Sequence, residues 1–279
     1  MGVADGRAGH RAHRARRVLG GDALTEELDP VYFTTGERDF LIPAVWEGTG
    51  DELHTNRLVA AASDFGGRIM SGIATMTLAV ARLDGARLGA PPACLEWDFA
   101  GPVREGEKVR VDASREGGDL TVATSVDGAT TGTGVLRAAP AEAPAPAGGP
   151  DGARSRGWTI TAADLELFAD WIGAGGEDGR DGGSGPVPWP LLILVASGLM
   201  GRDRLFGDAP SGQVLNRWMR WRFASMPVTG ETVHCVLRSR TSRRSKTRPG
   251  DLVSRIVLDT RSADDGRALT EIDWVVLSR

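Results

Sequence analysis

The chain has 279 residues, which is enough for two domains of ordinary size that bury their cores without disulfides or metal ions. Charged residues make up 25% and the formal net charge is −4, so the composition gives no general attraction to nucleic acid or to an anionic membrane. No apolar run approaches the roughly 20 residues that span a bilayer. These features predict a soluble cytoplasmic protein that binds neither nucleic acid nor membrane.

The N-terminal segment, 1–24, is rich in arginine but lacks the apolar stretch of a signal peptide. We predict a disordered basic leader, with a mis-assigned start codon as the alternative. The segment 138–157 consists of Ala, Pro, Gly and a few charges without apolar periodicity, which is typical of a linker. The remaining segments, 25–137 and 158–279, each have the length of one small domain.

The two long segments repeat one pattern. Trp97 precedes Gly106 by nine positions and Trp221 precedes Gly230 by nine, with Phe and Pro-Val between them and Glu directly after each glycine. Each copy alternates apolar and polar residues around turn residues, which predicts a strand, a hairpin and a second strand. The recurrence after 124 positions indicates a duplication.

A helix is predicted before each repeated hairpin. In 69–83 apolar residues recur every three or four positions, which gives one apolar stripe. In 190–199 the residues are apolar almost all round, so this helix must be buried. Strand patterns then continue to the end of each half. The fold class is therefore α+β, a tandem (double) hot-dog in which each half wraps a long helix with an antiparallel sheet and the two sheets pair edge to edge.

The two cysteines, Cys94 and Cys235, lie in strand-like stretches without metal-ligand spacing. We predict core thiols in a reducing cytosol, with a disulfide between the halves as the alternative.

The stretch from Gly50 to Gly72 resembles the hydratase signature of the MaoC-like family, which comprises (R)-specific enoyl-thioester hydratases and 3-hydroxyacyl dehydratases. The matching positions are His54, the alanines 60–62, Phe65-Gly66-Gly67, Ile69 and Gly72. The resemblance implies that His54 is an acid/base group and that the Gly72 backbone N–H holds the thioester oxygen. It implies no metal and no redox cofactor.

The sequence also departs from this pattern. Thr49 stands five positions before His54, where the family has its catalytic aspartate, and Ser71 replaces the histidine that commonly precedes the glycine. We predict that Thr49 and Ser71 contact the substrate. The second half has no equivalent histidine motif, so at most one site per chain is expected.

Asp51 is our candidate for the missing carboxylate, because it lies three residues before His54. Glu52 is a near alternative and Glu47 a weaker one. Acidic residues placed at a helix N-terminus for its dipole are the structural alternative for Asp51 and Glu52.

The chemistry explains these residue types. Dehydration of a 3-hydroxyacyl thioester removes a weakly acidic α-proton and expels hydroxide, so it needs one base and one acid. Each positioned proton transfer contributes about 10²–10⁴-fold, and histidine can accept or donate near neutral pH. A backbone N–H at a helix start meets the charge on the thioester oxygen, and glycine lets the substrate approach closely. A turn or packing role is the alternative for Gly66, Gly67 and Gly72.

A basic run covers 238–248 between two predicted strands. Its members Arg243 and Arg244 are predicted to bind the phosphates of coenzyme A or an acidic acyl carrier protein, with a solvated hairpin loop as the alternative. Three further arginines alternate at 217–222 and are interpreted as the wet side of a sheet or a contact between the halves.

The leading functional hypothesis is a bacterial lyase that interconverts 3-hydroxyacyl and trans-2-enoyl thioesters on coenzyme A or acyl carrier protein, in fatty-acid or polyketide-type metabolism. Because Thr49 replaces aspartate, an isomerase, cyclase or thioesterase on the same scaffold is one alternative. A non-catalytic acyl-thioester-binding subunit is another. A homodimer through exposed sheet edges is left open.

Overall fold

The computed structural model describes residues 16–18, 25–48, 52–83, 90–139, 152–173, 185–203, 205 and 214–278. The helices are α1 (Glu37–Leu41), α2 (Pro43–Glu47), α3 (Glu52–Thr55), α4 (Arg57–Ala61), α5 (Gly72–Leu83), α6 (Ala162–Ile172) and α7 (Trp189–Arg202). The strands are β1 (Arg16–Val18), β2 (Thr25–Thr34), β3 (Cys94–Phe99), β4 (Lys108–Glu116), β5 (Asp119–Val126), β6 (Ala129–Arg137), β7 (Trp158–Thr159), β8 (Val214–Phe223), β9 (Thr232–Arg244), β10 (Leu252–Ser262) and β11 (Ala268–Ser278). None of the helices in these ranges has the length and apolar character needed to cross a membrane.

All the strands join one antiparallel sheet in the order β1-β2-β4-β5-β6-β3-β8-β11-β10-β9-β7. The order of the second half mirrors that of the first, with β3 and β8 paired at the centre from Cys94 opposite Arg222 to Asp98 opposite Trp218. The predicted α+β class, the tandem arrangement and the edge-to-edge pairing of the two sheets are confirmed.

The two long helices occupy equivalent places before β3 and before β8. α5 starts at Gly72, three residues after the predicted start, because Ile69 forms a β-bridge with Arg104 and the Met70 N–H donates to the Val103 carbonyl at 2.7 Å. In α7 every residue from Trp189 to Met200 is buried, as the apolar sequence predicts.

The predicted hairpins are wrong. β3 pairs with β6 and β8, whereas β4 pairs with β2 and β5. The segment with Pro-Val and Gly-Glu therefore connects a strand at the centre of the sheet to a strand nearer the outer edge of the same half. β8 and β9 repeat this arrangement, since β8 pairs with β11 and β3 while β9 pairs with β10 and β7. Local patterns locate strands and turns but not strand partners, and here the central edge is used to join the halves.

Two predicted boundaries also change. β1 lies within the predicted leader 1–24 and pairs with β2. Residues 152–157 of the predicted linker 138–157 run along β9, where the Ser155 N–H donates to the Cys235 carbonyl at 2.9 Å and Arg154 bridges Val236. Backbone groups along β9 need partners, and this segment supplies them. The rest of both segments lies outside the described residues.

Cys94 and Cys235 are free and buried, so the core-thiol prediction is confirmed. Desolvation raises the pKa of the Cys235 thiol to about 12.

Buried polar contacts join the two halves away from the sheet. The Trp46 indole N–H of α2 donates to Asp164 of α6 at 2.8 Å, and the Trp171 N–H of α6 donates to Asp39 of α1 at 3.0 Å. α7 also packs closely on α2, because a Cβ atom placed on Gly198 would lie 1.8 Å from the Trp46 carbonyl oxygen. The helices preceding the first half's long helix are thus held by the second half.

Gly198→Ala tests this close approach. The added methyl meets backbone that cannot rotate away, so we expect a loss of about 1–3 kcal/mol in the free energy of unfolding. Gly201→Ala in the same helix is the matched control, because a Cβ atom there has no neighbour within 4 Å. It should stabilise the protein by about 0.5–1 kcal/mol, since alanine favours helix. Urea unfolding measures both, and equal effects would contradict the tight α2–α7 contact.

Candidate functional site

A cavity of about 270 Å³ is lined by residues of both halves. The first half contributes α3, the segment 65–72, the end of β3 and the following turn, and parts of β5 and β6. The second half contributes the start of β8 and the end of β11. Among its lining residues Gly101 and Arg217 are solvent-exposed, whereas Trp97, Thr124 and Thr131 are buried.

His54 lies on α3 and lines this cavity. Its Nδ1 lies 2.8 Å from the Ile69 carbonyl oxygen. Because a carbonyl only accepts hydrogen bonds, Nδ1 carries the proton in the neutral ring and Nε2 is the basic nitrogen. The contact fixes both the ring orientation and the tautomer.

Gly72 is the first residue of α5 and lines the same cavity. Within the described part of the chain its N–H has no hydrogen-bond acceptor, as is usual in the first turn of a helix. A Cβ atom at this position would lie 2.7 Å from the Phe99 ring, so the packing of β3 on the helix start requires glycine. The packing role that the sequence analysis gave as an alternative for Gly72 is therefore explained by Phe99. This contact does not use the Gly72 N–H.

The buried guanidinium of Arg68 anchors the chain just before Ile69, whose carbonyl contacts His54, and four residues before the start of α5. The Arg68 side chain is 2% exposed and donates to both Glu37 oxygens at 2.9 and 2.7 Å and to Glu105 at 2.7 Å. Arg68 lowers the pKa values of Glu37 and Glu105, chiefly through these hydrogen bonds. Arg57 pairs with the same two carboxylates from an exposed position.

Ser71, a predicted substrate contact, is buried, and its hydroxyl donates to Glu47 Oε1 at 2.7 Å. It is not among the residues that line the cavity. The Glu47 carboxylate therefore approaches the residue just before Gly72. Thr49 and Asp51 lie outside the described residues.

Arg243 and Arg244 are exposed at the end of β9 and do not line the cavity. Arg243 lies opposite Val253, which lies opposite the cavity residue Leu277. With strands roughly 4.8 Å apart, the Arg243 and Leu277 Cα atoms are about 10 Å apart. The Arg244 side chain donates to the Pro249 carbonyl at 3.2 Å within the hairpin. The basic hairpin thus lies two strands away from a residue that lines the cavity.

Sequence reasoning missed the second half's contribution. Asn216 and Arg217 line the cavity from β8. The buried Trp274 N–H donates to Asn216 Oδ1 at 3.1 Å, so the Asn216 amide nitrogen is left as a donor. Arg217 is exposed and makes no ion pair within the described ranges. The arginine alternation at 217–222 was the available signal, but only the β3–β8 register brings it to the cavity.

No group of three or more His, Cys, Asp or Glu side chains among the described residues could hold a metal ion.

Arg68→Met tests whether the hydrogen bonds from Arg68 to Glu37 and Glu105 restrain the segment 66–71. Two carboxylates lose their shared donor, so we expect a loss of about 2–3 kcal/mol in unfolding free energy and faster amide hydrogen exchange in that segment. Arg57→Met is the matched control, since an exposed pair with the same carboxylates contributes about 0–1 kcal/mol. Similar exchange rates in the two variants would show that Arg68 does not fix the segment.

No protein-family model matches the sequence, and no curated protein sequence matches it. Solved structures do match. A protein described as a MaoC domain dehydratase, from Chloroflexus aurantiacus, superposes with a TM-score of 0.66 at 11% identity over 99% of each chain. A Mycobacterium tuberculosis protein described as a double hot-dog fold gives 0.63 at 16% identity over 89% of this chain and 94% of its own.

An oleoyl thioesterase structure from Lactobacillus plantarum gives a TM-score of 0.52 at 10% identity, over 94% of this chain and 99% of its own. At such identities the likeness establishes the fold. The chain has the double hot-dog fold that is found in MaoC-like dehydratases.

Proposed function

We propose that the protein interconverts 3-hydroxyacyl and trans-2-enoyl thioesters, as a hydro-lyase of the MaoC-like kind. The observation that carries the proposal is that His54 and Gly72, 18 positions apart, line one cavity. A base with a fixed tautomer and an unpaired helix-start amide are the two elements this chemistry requires.

In the dehydration direction, His54 Nε2 removes a proton from C2 of the acyl chain. A carboxylic acid protonates the hydroxyl on C3, the C3–O bond breaks and water leaves. Hydration reverses each step, so no atoms or electrons remain unbalanced. The Ile69 carbonyl supports this role, because it accepts from Nδ1 and stabilises the imidazolium that forms.

Removal of the C2 proton places negative charge on the thioester oxygen. The Gly72 N–H is suited to donate a hydrogen bond to that oxygen, since it belongs to the first turn of the 12-residue helix α5. The helix dipole favours negative charge at this end. Removing one such donor in other enzymes costs about 10²–10³-fold in rate.

The second acid/base group is the carboxylate that protonates the C3 hydroxyl. We assign it to Asp51, three residues before His54, and Glu47 is its competitor. The contact between Glu47 and Ser71 supports the competitor, because it brings that carboxylate close to the start of α5. Thr49 would then contact substrate without transferring a proton.

The carrier is coenzyme A or an acyl carrier protein, in the cytoplasm of a bacterium. Arg217, an exposed residue of the cavity lining, and Arg243 and Arg244 on the hairpin suit phosphate groups or an acidic carrier. The site belongs to the first domain, 25–137, and the second domain, 158–279, closes it.

His54→Ala tests the central assignment. We expect the hydration rate of trans-2-butenoyl-CoA, followed by loss of enoyl-thioester absorbance, to fall by about 10²–10⁴-fold because the imidazole that lines the cavity is lost. The circular dichroism spectrum and the melting temperature should stay within error of the wild type, which excludes unfolding as the cause. Unchanged turnover would end the proposal.

Asp51→Asn and Glu47→Gln identify the carboxylate. Both changes keep size and remove the proton-transfer group, so the variant at the catalytic position should lose about 10²-fold or more. We expect that loss for Asp51→Asn and less than about tenfold for Glu47→Gln, measured as kcat for the same thioester. The reverse pattern would transfer the role to Glu47, and two small effects would contradict a carboxylate mechanism.

Thioester hydrolysis is a second candidate, favoured by Thr49 at the position of the family's aspartate. A reaction that needs one histidine does not need that carboxylate. Mass spectrometry of the products separates the candidates, because hydration adds the mass of one water and hydrolysis releases a free thiol. Isomerisation changes neither, and tight binding without turnover would favour a non-catalytic role.

A further inference from the structure

Part of the cavity wall is formed by buried polar residues, which an aliphatic acyl chain does not require. Thr124 of β5 and Thr131 of β6 line it, with 1% and 7% of their surfaces exposed. The Thr131 hydroxyl donates to Thr124 Oγ1 at 2.9 Å, and the Thr124 hydroxyl donates to the Gly132 carbonyl at 3.3 Å. Both donors are thereby used, and the lone pairs of Thr131 Oγ1 remain as acceptors.

An indole N–H meets these hydroxyls. Trp97 is 1% exposed and lines the same cavity, and its Nε1–H has no acceptor in the part of the chain that the structure describes. A Cβ atom on Gly132 would lie 2.7 Å from that nitrogen, so the donor lies directly beside the β6 backbone next to Thr131. A buried donor without a partner is uncommon and indicates a bound group or a water molecule.

A β-bulge explains how Thr131 reaches this position. Thr124 lies opposite Gly132 and Ser125 lies opposite Thr130, so Thr131 is the extra residue of β6. Bulges redirect a side chain and are frequent beside functional sites. Without the bulge, regular alternation would point Thr131 away from the face that carries Gly132.

The size of the cavity limits the acyl chain. Its 270 Å³ is below the roughly 300–1,000 Å³ of sites that enclose a whole drug-sized ligand. At about 30 Å³ for a water-sized group, it holds roughly nine non-hydrogen atoms. Part of that space must hold the thioester beside Gly72, which leaves room for an acyl chain of about four to six carbons.

We infer that the cavity selects short acyl thioesters that carry a hydroxyl group at the distal end of the chain. That hydroxyl accepts from Trp97 Nε1 and donates to Thr131 Oγ1, which are the two functions that this wall of the cavity leaves open. A distal carboxylate fits less well, because none of the three described residues of this wall is a cation and the lining residue Arg217 is exposed. The inference rests on the proposed acyl-thioester function.

Isothermal titration calorimetry with saturated ligands tests the subsite without requiring turnover. The full-length protein is titrated with hexanoyl-CoA, 6-hydroxyhexanoyl-CoA, adipoyl-CoA and decanoyl-CoA. We expect 6-hydroxyhexanoyl-CoA to bind about tenfold more tightly than hexanoyl-CoA, because the loss of water from its hydroxyl offsets part of the two hydrogen bonds that it gains. Adipoyl-CoA and decanoyl-CoA should both bind more weakly than hexanoyl-CoA.

Thr131→Val and Trp97→Phe remove the acceptor and the donor in turn while keeping most of the volume. Each should reduce the preference for the hydroxylated ligand to within about twofold, and hexanoyl-CoA should bind at least as tightly as before. Thr133→Val is the matched control, because this β6 residue is exposed and does not line the cavity. It should preserve the tenfold preference.

Equal affinities for hexanoyl-CoA and its 6-hydroxy derivative, with hydration of butenoyl-CoA intact, would overturn the polar subsite and leave the proposed function standing. A bound water would then be the partner of Trp97. Tighter binding of decanoyl-CoA or adipoyl-CoA would overturn the inference about chain length or end group. No binding of any of these ligands would overturn the assignment of the cavity to acyl thioesters.

Discussion

One buried guanidinium fixes the geometry on which the candidate site depends. Arg68 joins Glu37 of α1 and Glu105 of the turn before β4, and it lies on the segment between α4 and α5. The next residue, Ile69, supplies the carbonyl that orients His54, and Gly72 begins α5 three positions later. A small displacement of this segment would move the imidazole and the amide together. The clamp therefore converts a glycine-rich loop into a rigid element.

The second half supports this arrangement without providing its reactive groups. Its α6 carboxylate and indole exchange hydrogen bonds with Trp46 and Asp39 of the first half, and α7 contacts the α2 backbone at Gly198. Its strand β8 extends beyond β3 and contributes Asn216 and Arg217 to the cavity wall. The first half thus presents the candidate reactive groups His54 and Gly72, and the second half closes the cavity around them.

The sequence predicted what is encoded locally and missed what depends on strand partners. His54 and Gly72 could be found because their spacing is part of a continuous motif, and α7 could be found because its apolar run is unbroken. The repeated Trp-x-Phe segments were located correctly but given the wrong neighbours, since pairing across the β3–β8 edge leaves no local pattern. Thr131 was missed for a related reason, because a bulge changes the direction of one side chain within an ordinary strand.

The two copies of the repeat differ where their long helices begin. Phe99 and Phe223 are equivalent, each two positions after the repeated tryptophan. In the first half Phe99 packs over Gly72 and leaves its amide beside a cavity. In the second half Phe223 packs edge-on against Trp189, the first residue of α7, with ring centroids 5.7 Å apart. A buried tryptophan therefore stands at the start of α7 where α5 starts with glycine, and Pro190 beside it has no N–H to offer. The same phenylalanine thus borders a cavity in one copy and a packed core in the other.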